Sequence, residues 1–515
     1  MSRKFKSKNK KTFKNSGYSG GAGSLIKKTL KSWLPKHFSA VSDIDLNLST
    51  VRARAADLYF NSAIGAAAIN SVVAGVVNEG LKVFPRLNHT ALNLSIEDAR
   101  RWEEKTKREF ELWSENVECD FYRRNTFREI QRIAFLNELC DGDCACLFRR
   151  KNSSSDNPYS LRLQLIEAGR ITNPQATAAN FSSIVEMTYK KNSRIVNGVE
   201  VDKSGILKAL WIANKIPTEF NVGKPLTEWS RVKFFGEKSG EQNLCFLCND
   251  TRIEQFRGVP FLAPVVEILK NISRYTEAEL TSAILKTFLS LFFTQPYNAD
   301  INYNLNQIVQ GEDEETFENL DVTEIKIGPG TLTKLPKGTS VETVNPSGAS
   351  STFESFTVQL LKQVGAALNL PYEVLLKNFQ SSYSASKAAL LQAENEFRQR
   401  RESFKIDFLT PVYRIFLSEA IALGRIEAPG FFDDALTKNL WCNASWENES
   451  NHALDSQKEI QAAEKKIALG LSTYTKEAAS LNGSDFVENL KQLAKEKSLM
   501  AEFFGEKKSL EVEEV

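Results

Sequence analysis

Residues 365–401, GAALNLPYEVLLKNFQSSYSASKAALLQAENEFRQRR, place a polar run between two helical patterns. The run, Asn378 to Ser386, is rich in hydroxyl and small side chains. The pattern after it predicts a helix from about Lys387 to Leu423, which Gly424 ends. At 1.5 Å per residue this helix would extend roughly 55 Å, and Pro411 inside it predicts a kink. A flexible serine-rich stretch in front of so long a helix indicates that the stretch has something to contact.

The length and charge of the chain limit the kinds of protein it can be. Its 515 residues exceed the roughly 250–300 that one hydrophobic core supports, so we expect several domains or an elongated, modular subunit. The formal net charge of +2, from 66 basic and 64 acidic residues, argues against binding nucleic acid through bulk positive charge. Any contact with DNA is therefore expected to be local or weak.

The cysteines predict a reducing folding compartment, because seven are spread along the chain and no apolar signal sequence precedes them. Cys144-x-Cys146 and Cys245-x-x-Cys248 have the residue types of zinc ligands but lack the regular pairing of two knuckles. We therefore expect buried thiols, no metal site and no cofactor. The most apolar run, Leu280 to Thr294, contains Lys286 and is shorter than the roughly 20 residues of a membrane span, so none is expected.

The N-terminal residues differ in character from the helical patterns that follow them. Residues 1–24 carry seven basic side chains without an acid and end in a Gly/Ser-rich stretch, which predicts a mobile arm. Such an arm binds phosphate or an acidic surface, or serves only as a solubilising tail, and the sequence does not decide between these. Further along, one helix is predicted from Asp43 to Gly80 and a second from Ser95 to Glu115.

Strand patterns follow, which makes the chain an α+β protein. They comprise CACLFRR, LRLQLIE and a hairpin with Val199 and Val201 before its turn. A single amphipathic helix is then predicted over PFLAPVVEILKNISRYTEAELTSAILKTFLSLFF, with Pro264 in its first turn. Residues 297–350 are acidic, with short strands around TEIKIG, TLTKL and SVETV, and Phe353 to Leu370 is helical. Short amphipathic helices, broken at Gly470 and Gly483, are predicted after His452.

Catalytic motifs are few. No GxxxxGK[ST] phosphate loop is present, so the chain is not expected to hydrolyse ATP. The three short motifs of penicillin-recognising enzymes do occur, as Ser384-x-x-Lys387, Ser155-Asp156-Asn157 and Lys238-Ser239-Gly240. Their order along the chain is inverted relative to that family. An SxxK-type serine hydrolase, with Ser384 as nucleophile and Lys387 as base, is the alternative function.

A resemblance to the lambda-type portal proteins of tailed bacteriophages runs nearly from end to end. It is carried by RARAADLYFNSAIGAAAINSVVAGVVNEGLKVFPR, FREIQRIAFLNELCDGDCACLF, FRGVPFLAPVVEILKNISRYTEAEL, LNLPYEVLLKNFQSSYSASKAAL and FLTPVYRIFLSEAIALGRI. The chain departs from the family at Cys140 to Cys146, where the family more often has a Gly-Glu pair.

The resemblance implies a portal fold with an α/β wing, long stem helices, a small α/β clip and a helical crown. It divides the chain into a basic flexible arm (1–40), the wing (41–258), a first stem helix (259–294), the clip (295–350), a second stem helix (351–376), a tunnel loop (377–387), a long kinked wing helix (388–424) and the crown (425–515).

The resemblance also implies a function without catalysis. The protein would form a dodecameric ring at one capsid vertex of the virion, after assembly in the host cytoplasm, and conduct double-stranded DNA without sequence specificity. Its partners would be terminase, head-tail adaptor proteins, and the capsid and scaffolding proteins. The DNA-facing loop residues would be Lys377, Asn378, Gln380, Ser381, Ser382, Tyr383, Ser384 and Lys387, and the clip would bind partners through Glu312, Asp313, Glu314 and Glu315.

Overall fold

The computed structural model describes residues 36–174, 186–190, 192–216, 228–287, 291–294, 340–343, 350–379, 382–447, 456–482, 484 and 486–504. Its fold mixes helices and sheets, as the α+β pattern predicts. The chain divides into two compact units, one made of Met1–Val266 with Leu368–Val515 and the other of Glu267–Ala367.

The first unit contains two main antiparallel sheets. The three-stranded sheet has the order Leu161–Glu167, Asp143–Arg150, Leu244–Cys248, and the five-stranded sheet has the sequential order Glu186–Lys190, Ser193–Val196, Val199–Asp202, Leu207–Ala213, Trp229–Lys233. A buried cluster that includes Leu147, Ile166, Val201 and Ile212 joins the two sheets. The predicted strands and hairpin are thus confirmed, because alternating β-branched and polar residues suit a sheet with one buried face.

Helices surround these sheets. Those of the first unit are Leu48–Asn61, Ala63–Val76, Ile96–Ser114, Phe127–Asp141, Tyr372–Leu376, Tyr383–Phe404, Thr410–Ala422, Ala435–Trp441, Ser456–Ala468, Tyr474–Asn482 and Phe486–Phe504, with π-helical turns at Val41–Asp45 and Lys405–Leu409 and 3₁₀ turns at Val117–Cys119, Ala168–Arg170 and Ala263–Val265. The helix predicted from Ser95 to Glu115 is confirmed, with Ser95 as its N-cap accepting from the Asp98 amide.

The predicted single helix from Asp43 to Gly80 is wrong. Ser62 is extended, with φ −112° and ψ 119°, and separates two helices bent by 94°. The Ser62 hydroxyl accepts from the amide of Gly65, so it caps the second helix instead of continuing the first. The break turns the apolar helix Ala63–Val76 into the interior.

A buried ionic centre forms around the carboxylate of Asp143, at the start of strand Asp143–Arg150. Arg257 donates from Nε to Asp143 Oδ2 (2.7 Å) and from Nη2 to Oδ1 (2.9 Å), and Arg52 Nη2 also donates to Oδ2 (2.6 Å). Arg257 further donates to the carbonyls of Ile171, Asn197 and Ala168. Because every strong donor has an acceptor, this centre ties the first long helix to both sheets.

Residues just after position 425, where the sequence predicts a domain boundary, pack against the N-terminal part of the chain. Strand Ala444–Glu447 pairs antiparallel with Lys82–Pro85, and the rings of Trp441 and Trp102 lie 5.0 Å apart. The boundary expected at residue 425 therefore falls inside one packed region. The helices predicted after His452 are present in the described residues, with Gly470 at φ +70° between the first two; Gly483 lies outside them.

The second unit contains a helical pair and a two-stranded ribbon. Most of helix Val266–Thr287 and helix Ser350–Ala367 belong to it, and Tyr275 contacts the rings of Phe353 and Phe356 at 5.2 and 5.3 Å. Strand Leu291–Thr294 pairs antiparallel with Ser340–Thr343. The helix predicted to continue through Phe293 therefore ends early, because its last apolar residues enter a strand. The strand predicted at SVETV is confirmed, and those at TEIKIG and TLTKL lie outside the described residues.

The long helix predicted from Lys387 to Leu423 is present in two segments. Tyr383–Phe404 is followed by the π-helical turn Lys405–Leu409 and then by Thr410–Ala422. Pro411 has no N–H to donate to the carbonyl four residues earlier, and the π-turn lies at that point. Gly424 follows at φ +69°, as expected for a residue that ends a helix.

Membrane spans, metal sites and buried thiols are the features on which the composition bears. No single described helix is both long and apolar enough to cross a membrane, and only the sharply bent pair Leu48–Asn61 and Ala63–Val76 passes on length and composition together. Across the described ranges, no three His, Cys, Asp or Glu side chains are grouped as a metal ion would require. Cys146 and Cys245 are buried opposite each other on neighbouring strands, and burial raises the pKa of both thiols.

Candidate channel-facing segment

The candidate segment leaves the fold at a short helix. Tyr372–Leu376 is held by Leu375, which is 1% exposed, and it ends at Lys377 in the left-handed conformation with φ +54°. The amides of Lys377 and Asn378 both donate to the Glu373 carbonyl. This double hydrogen bond satisfies the helix end and directs the following residues outward.

Solvent reaches most of the described part of this segment. Lys377, Asn378, Ser382 and Ser384 are exposed, whereas Lys387 is half-buried. Gln380, Ser381 and the side chain of Tyr383 lie outside the described residues. Among those described, the exposed groups at the tip are amide and hydroxyl groups, with Lys377 as the basic residue at the start.

The loop is shorter than the sequence predicts. The long helix begins at Tyr383, so Tyr383, Ser384 and Lys387 lie in its first turns and not in an irregular loop. Ser382 is extended and precedes the helix, and its carbonyl accepts from the Ser386 amide at 2.9 Å. Serine favours the first turn and cap of a helix, which is why a serine-rich run can start a helix as well as interrupt one.

The far end of the long helix is anchored to the apolar helix Ala63–Val76. Arg401 donates to the carbonyl of Gly75 at 2.6 Å and to that of Val76 at 3.1 Å, and so satisfies the last carbonyls of that helix. Phe397 lies directly against Gly75, where a Cβ atom would come within 2.3 Å of its ring. A rigid support of this kind can hold a loop in a defined position.

Phe379 is a residue of the segment that the predicted site omits. Its side chain is 44% exposed at the tip, between Asn378 and the described residues that resume at Ser382. An aromatic side chain within a polar run is itself a signal, because apolar residues normally leave solvent. We add Phe379 to the candidate contact residues.

The hydrolase alternative finds no support in the geometry. The Ser384 hydroxyl lies 3.2 Å from that of Ser382, which makes Ser382 its hydrogen-bond partner. Ser155 donates to Asp156, and Ser239 accepts from the Glu241 amide, so each motif is engaged within its own turn. A nucleophile needs a hydrogen-bonded base, and Lys387 is not seen in that role.

The acidic run Glu312, Asp313, Glu314 and Glu315 lies outside the described residues, and its role stays a prediction. The described strands Leu291–Thr294 and Ser340–Thr343 flank the stretch that contains it. Because these strands pair, the stretch begins and ends at adjacent positions.

Comparison with known proteins identifies the class of this chain. A family model described as phage portal protein, lambda family, matches residues 27–401, and the chain therefore belongs to the lambda family of phage portal proteins. The portal protein of Escherichia phage N15 is 24% identical over 501 residues, covering 93% of this chain and 89% of that protein. Portal protein B of Escherichia phage lambda is 24% identical over 498 residues, with the same coverage.

Solved structures give more distant likenesses. A chain of the native gene transfer agent virion is 9% identical with a TM-score of 0.41, covering 85% of this chain and 94% of that one. A chain of the empty gene transfer agent neck, with C6 symmetry, is 11% identical with a TM-score of 0.40 and the same coverage. Likenesses at this level add no argument about individual residues.

Proposed function

We propose that this portal protein assembles into a dodecameric ring at one capsid vertex of the virion. The ring would form the channel through which double-stranded DNA enters during packaging and leaves during ejection. Family membership supports this function. The structural observation that carries the channel assignment is an exposed amide- and hydroxyl-bearing tip on a firmly anchored helix.

The chemistry of the tip suits a moving DNA molecule. DNA carries one charge per about 1.7 Å of its axis, and lysine or arginine contacts release counterions and bind strongly. Asn378, Ser382 and Ser384 instead offer single neutral hydrogen bonds, which position a backbone without reading its sequence. Weak, repeated contacts in a ring would guide DNA and still let it slide.

The remaining assignments follow the family organisation. We propose that residues 41–258, the long helix and residues 425–447 form the wing, and that Val266–Thr287 and Ser350–Ala367 are the stem helices. Residues 295–350 would form the clip, which binds terminase and later the head-tail adaptors through Glu312 to Glu315. The helices from Ser456 onward would form the crown inside the capsid, near scaffolding and capsid proteins.

The assembly is tested by imaging the purified protein. Discrete rings with a central hole are expected. A protein that remains monomeric under assembly conditions and reacts with a fluorescent penicillin at Ser384 would overturn the proposal.

The channel assignment is tested by adding charge to the tip. The double variant Ser382→Lys with Ser384→Lys should form normal rings but package or release DNA more slowly, because each added phosphate contact binds more tightly. Ser403→Lys, at an exposed position near the other end of the same helix, is the matched control. Deletion of Gln380 to Ser384 should likewise preserve rings and impair DNA retention, and unchanged packaging in both variants would contradict the assignment.

A further inference from the structure

An open pocket of about 330 Å³ lies in the first unit, beside strand Leu244–Cys248 and the π-helical turn Lys405–Leu409. Its apolar lining consists of Leu207, Phe234, Phe246, Phe256, Ile406 and Pro411, and Cys248 also lines it. Leu207 and Ile406 are 40% and 68% exposed. Exposed apolar side chains that line a pocket favour an apolar occupant, because contact with it removes them from water.

Two carboxylates give the same pocket a negative rim. Asp250 and Asp407 both line it and both are exposed, and neither has an ion-pair partner among the described residues. Partial burial and the neighbouring Asp250 raise the pKa of Asp407, so each carboxylate disfavours the other. A basic group at the rim would relieve this repulsion.

The described chain begins beside this pocket. Arg252, two residues after Asp250, donates from Nη2 to the Phe38 carbonyl at 2.8 Å and from Nη1 to Asp43 at 2.6 Å. Val41 packs against the buried cluster that contains Phe234 and Phe256, which also line the pocket. The residues just before Phe38 therefore start within short reach of the pocket.

We propose that this pocket is the docking site for the segment Leu30–Lys36 of the same chain. The segment, LKSWLPK, has Trp33 and Leu34 for the apolar wall and Lys31 for the carboxylates of Asp250 and Asp407. At about 3.3–3.6 Å per residue, Leu34 can lie up to roughly 14 Å from Phe38 along the chain. Residues 27–35 also fall inside the family match, whereas the basic residues between Arg3 and Lys14 do not. This inference does not depend on the proposed channel.

Cys248 provides a native reporter for the occupant. We expect N-ethylmaleimide, followed by mass spectrometry, to label Cys248 roughly tenfold faster in a Trp33→Ala, Leu34→Ala double variant than in the unmodified chain, a factor that corresponds to about 1.4 kcal/mol of protection. Cys140, which is half-buried on helix Phe127–Asp141, is the internal control and should label at an unchanged rate. Lys10→Ala with Lys11→Ala, in the basic arm, should leave both rates unchanged. Equal labelling of Cys248 in all three proteins would overturn the proposal.

A cross-link tests the proposal without removing the segment. A Leu34→Cys variant is expected to form a disulfide with the native Cys248 under mild oxidation, since such a bond requires Cα atoms within about 7 Å. Ser24→Cys, ten residues earlier, and Leu34→Cys combined with Cys248→Ser should not form it. A cross-link between two chains would assign the pocket to a second copy, and absence of any Leu34→Cys cross-link would remove the segment from the pocket; either result overturns the proposal.

Discussion

The ring of Phe397, on the long helix, packs directly on Gly75 of helix Ala63–Val76 and leaves no room for a side chain at position 75. A Cβ atom at position 75 would lie 2.3 Å from Phe397 Cδ2, well inside contact distance. Gly75→Ala should therefore destabilise the protein by about 1–3 kcal/mol through overpacking. Chemical denaturation measures the loss, and combining Gly75→Ala with Phe397→Leu should recover part of it. Equal losses in the single and double variants would mean that the two residues are not coupled.

Arg401 is expected to be irreplaceable by lysine. Its guanidinium donates to two consecutive carbonyls, those of Gly75 and Val76, and a lysine ammonium on a different stem cannot reproduce that fork. Arg401→Lys should cost about 1–2 kcal/mol, in the range of charged hydrogen bonds. Arg398→Lys, at an exposed position on the same helix, should leave the free energy of unfolding within about 0.5 kcal/mol of its original value.

Removing the charge of Asp143 should be severe. Its carboxylate is fully buried and accepts from Arg257, Arg52 and the Gly258 amide, so Asp143→Asn leaves the buried Arg257 and the half-buried Arg52 without their counter-ion at a cost of about 3–5 kcal/mol. Asp433→Asn, at an exposed carboxylate, is the control.

Asp143 should also change how the free energy of unfolding depends on pH in acid. Burial opposes ionisation of Asp143, but the two arginines prevail and hold its pKa below the usual 3.8. The stability that this carboxylate adds is thus present above about pH 3.8, the unfolded value, and is lost as pH falls through the folded value. A less steep loss of stability below that pH in Asp143→Asn is the expected result.

Glu138 should give stability the opposite dependence on pH, because its pKa is raised where that of Asp143 is lowered. Burial, partly opposed by Arg400, raises the pKa of Glu138 from 4.5 to about 8. The native state holds this proton where the unfolded chain has released it, so the favourable contribution is complete below pH 4.5 and is lost as pH rises to about 8. We expect the free energy of unfolding of the unmodified protein, and with it the Tm, to fall relative to that of Glu138→Gln between pH 4.5 and about pH 8 and to level off above it. The slope should be on the order of 1.4 kcal/mol per pH unit.

The comparison for Glu138 is sharpest above pH 7. Burial also raises the pKa of Asp141, to about 6, and its titration is complete before that range. Glu79→Gln, at an exposed position, should follow the unmodified protein throughout. Parallel Tm curves for Glu138→Gln and the unmodified protein would contradict the assignment.

Local patterns predicted most of the secondary structure because they depend on neighbours in sequence. Strand Leu161–Glu167 has the bounds that its alternation indicates, and Ser95 caps the helix it precedes. The break at Ser62 was missed because the apolar period runs through it unchanged. The strand at Leu291–Thr294 was missed because a short apolar run suits a helix and a strand equally.

The features that the sequence did not predict depend on contacts between residues far apart in the chain. Strand Ala444–Glu447 joins Lys82–Pro85 across most of the chain, and no local pattern indicates such a partner. The start of the long helix was placed four residues too late, because the serine-rich run supplies both the exposed residues and the first turn of the helix. The ionic centre at Asp143 could not be predicted either, since a buried Arg257 has the same sequence signal as an exposed one.

The ribbon formed by Leu291–Thr294 and Ser340–Thr343 makes the stretch between them exchangeable. The residues on either side of that stretch are neighbours in one antiparallel pair, with Thr294 opposite Ser340. Doubling the length of a closed loop costs only about 0.6 kcal/mol, so insertions, deletions or a complete replacement there leave the flanking helices in register. The length of the chain between the two strands can thus change between related proteins while the flanking helices stay as they are.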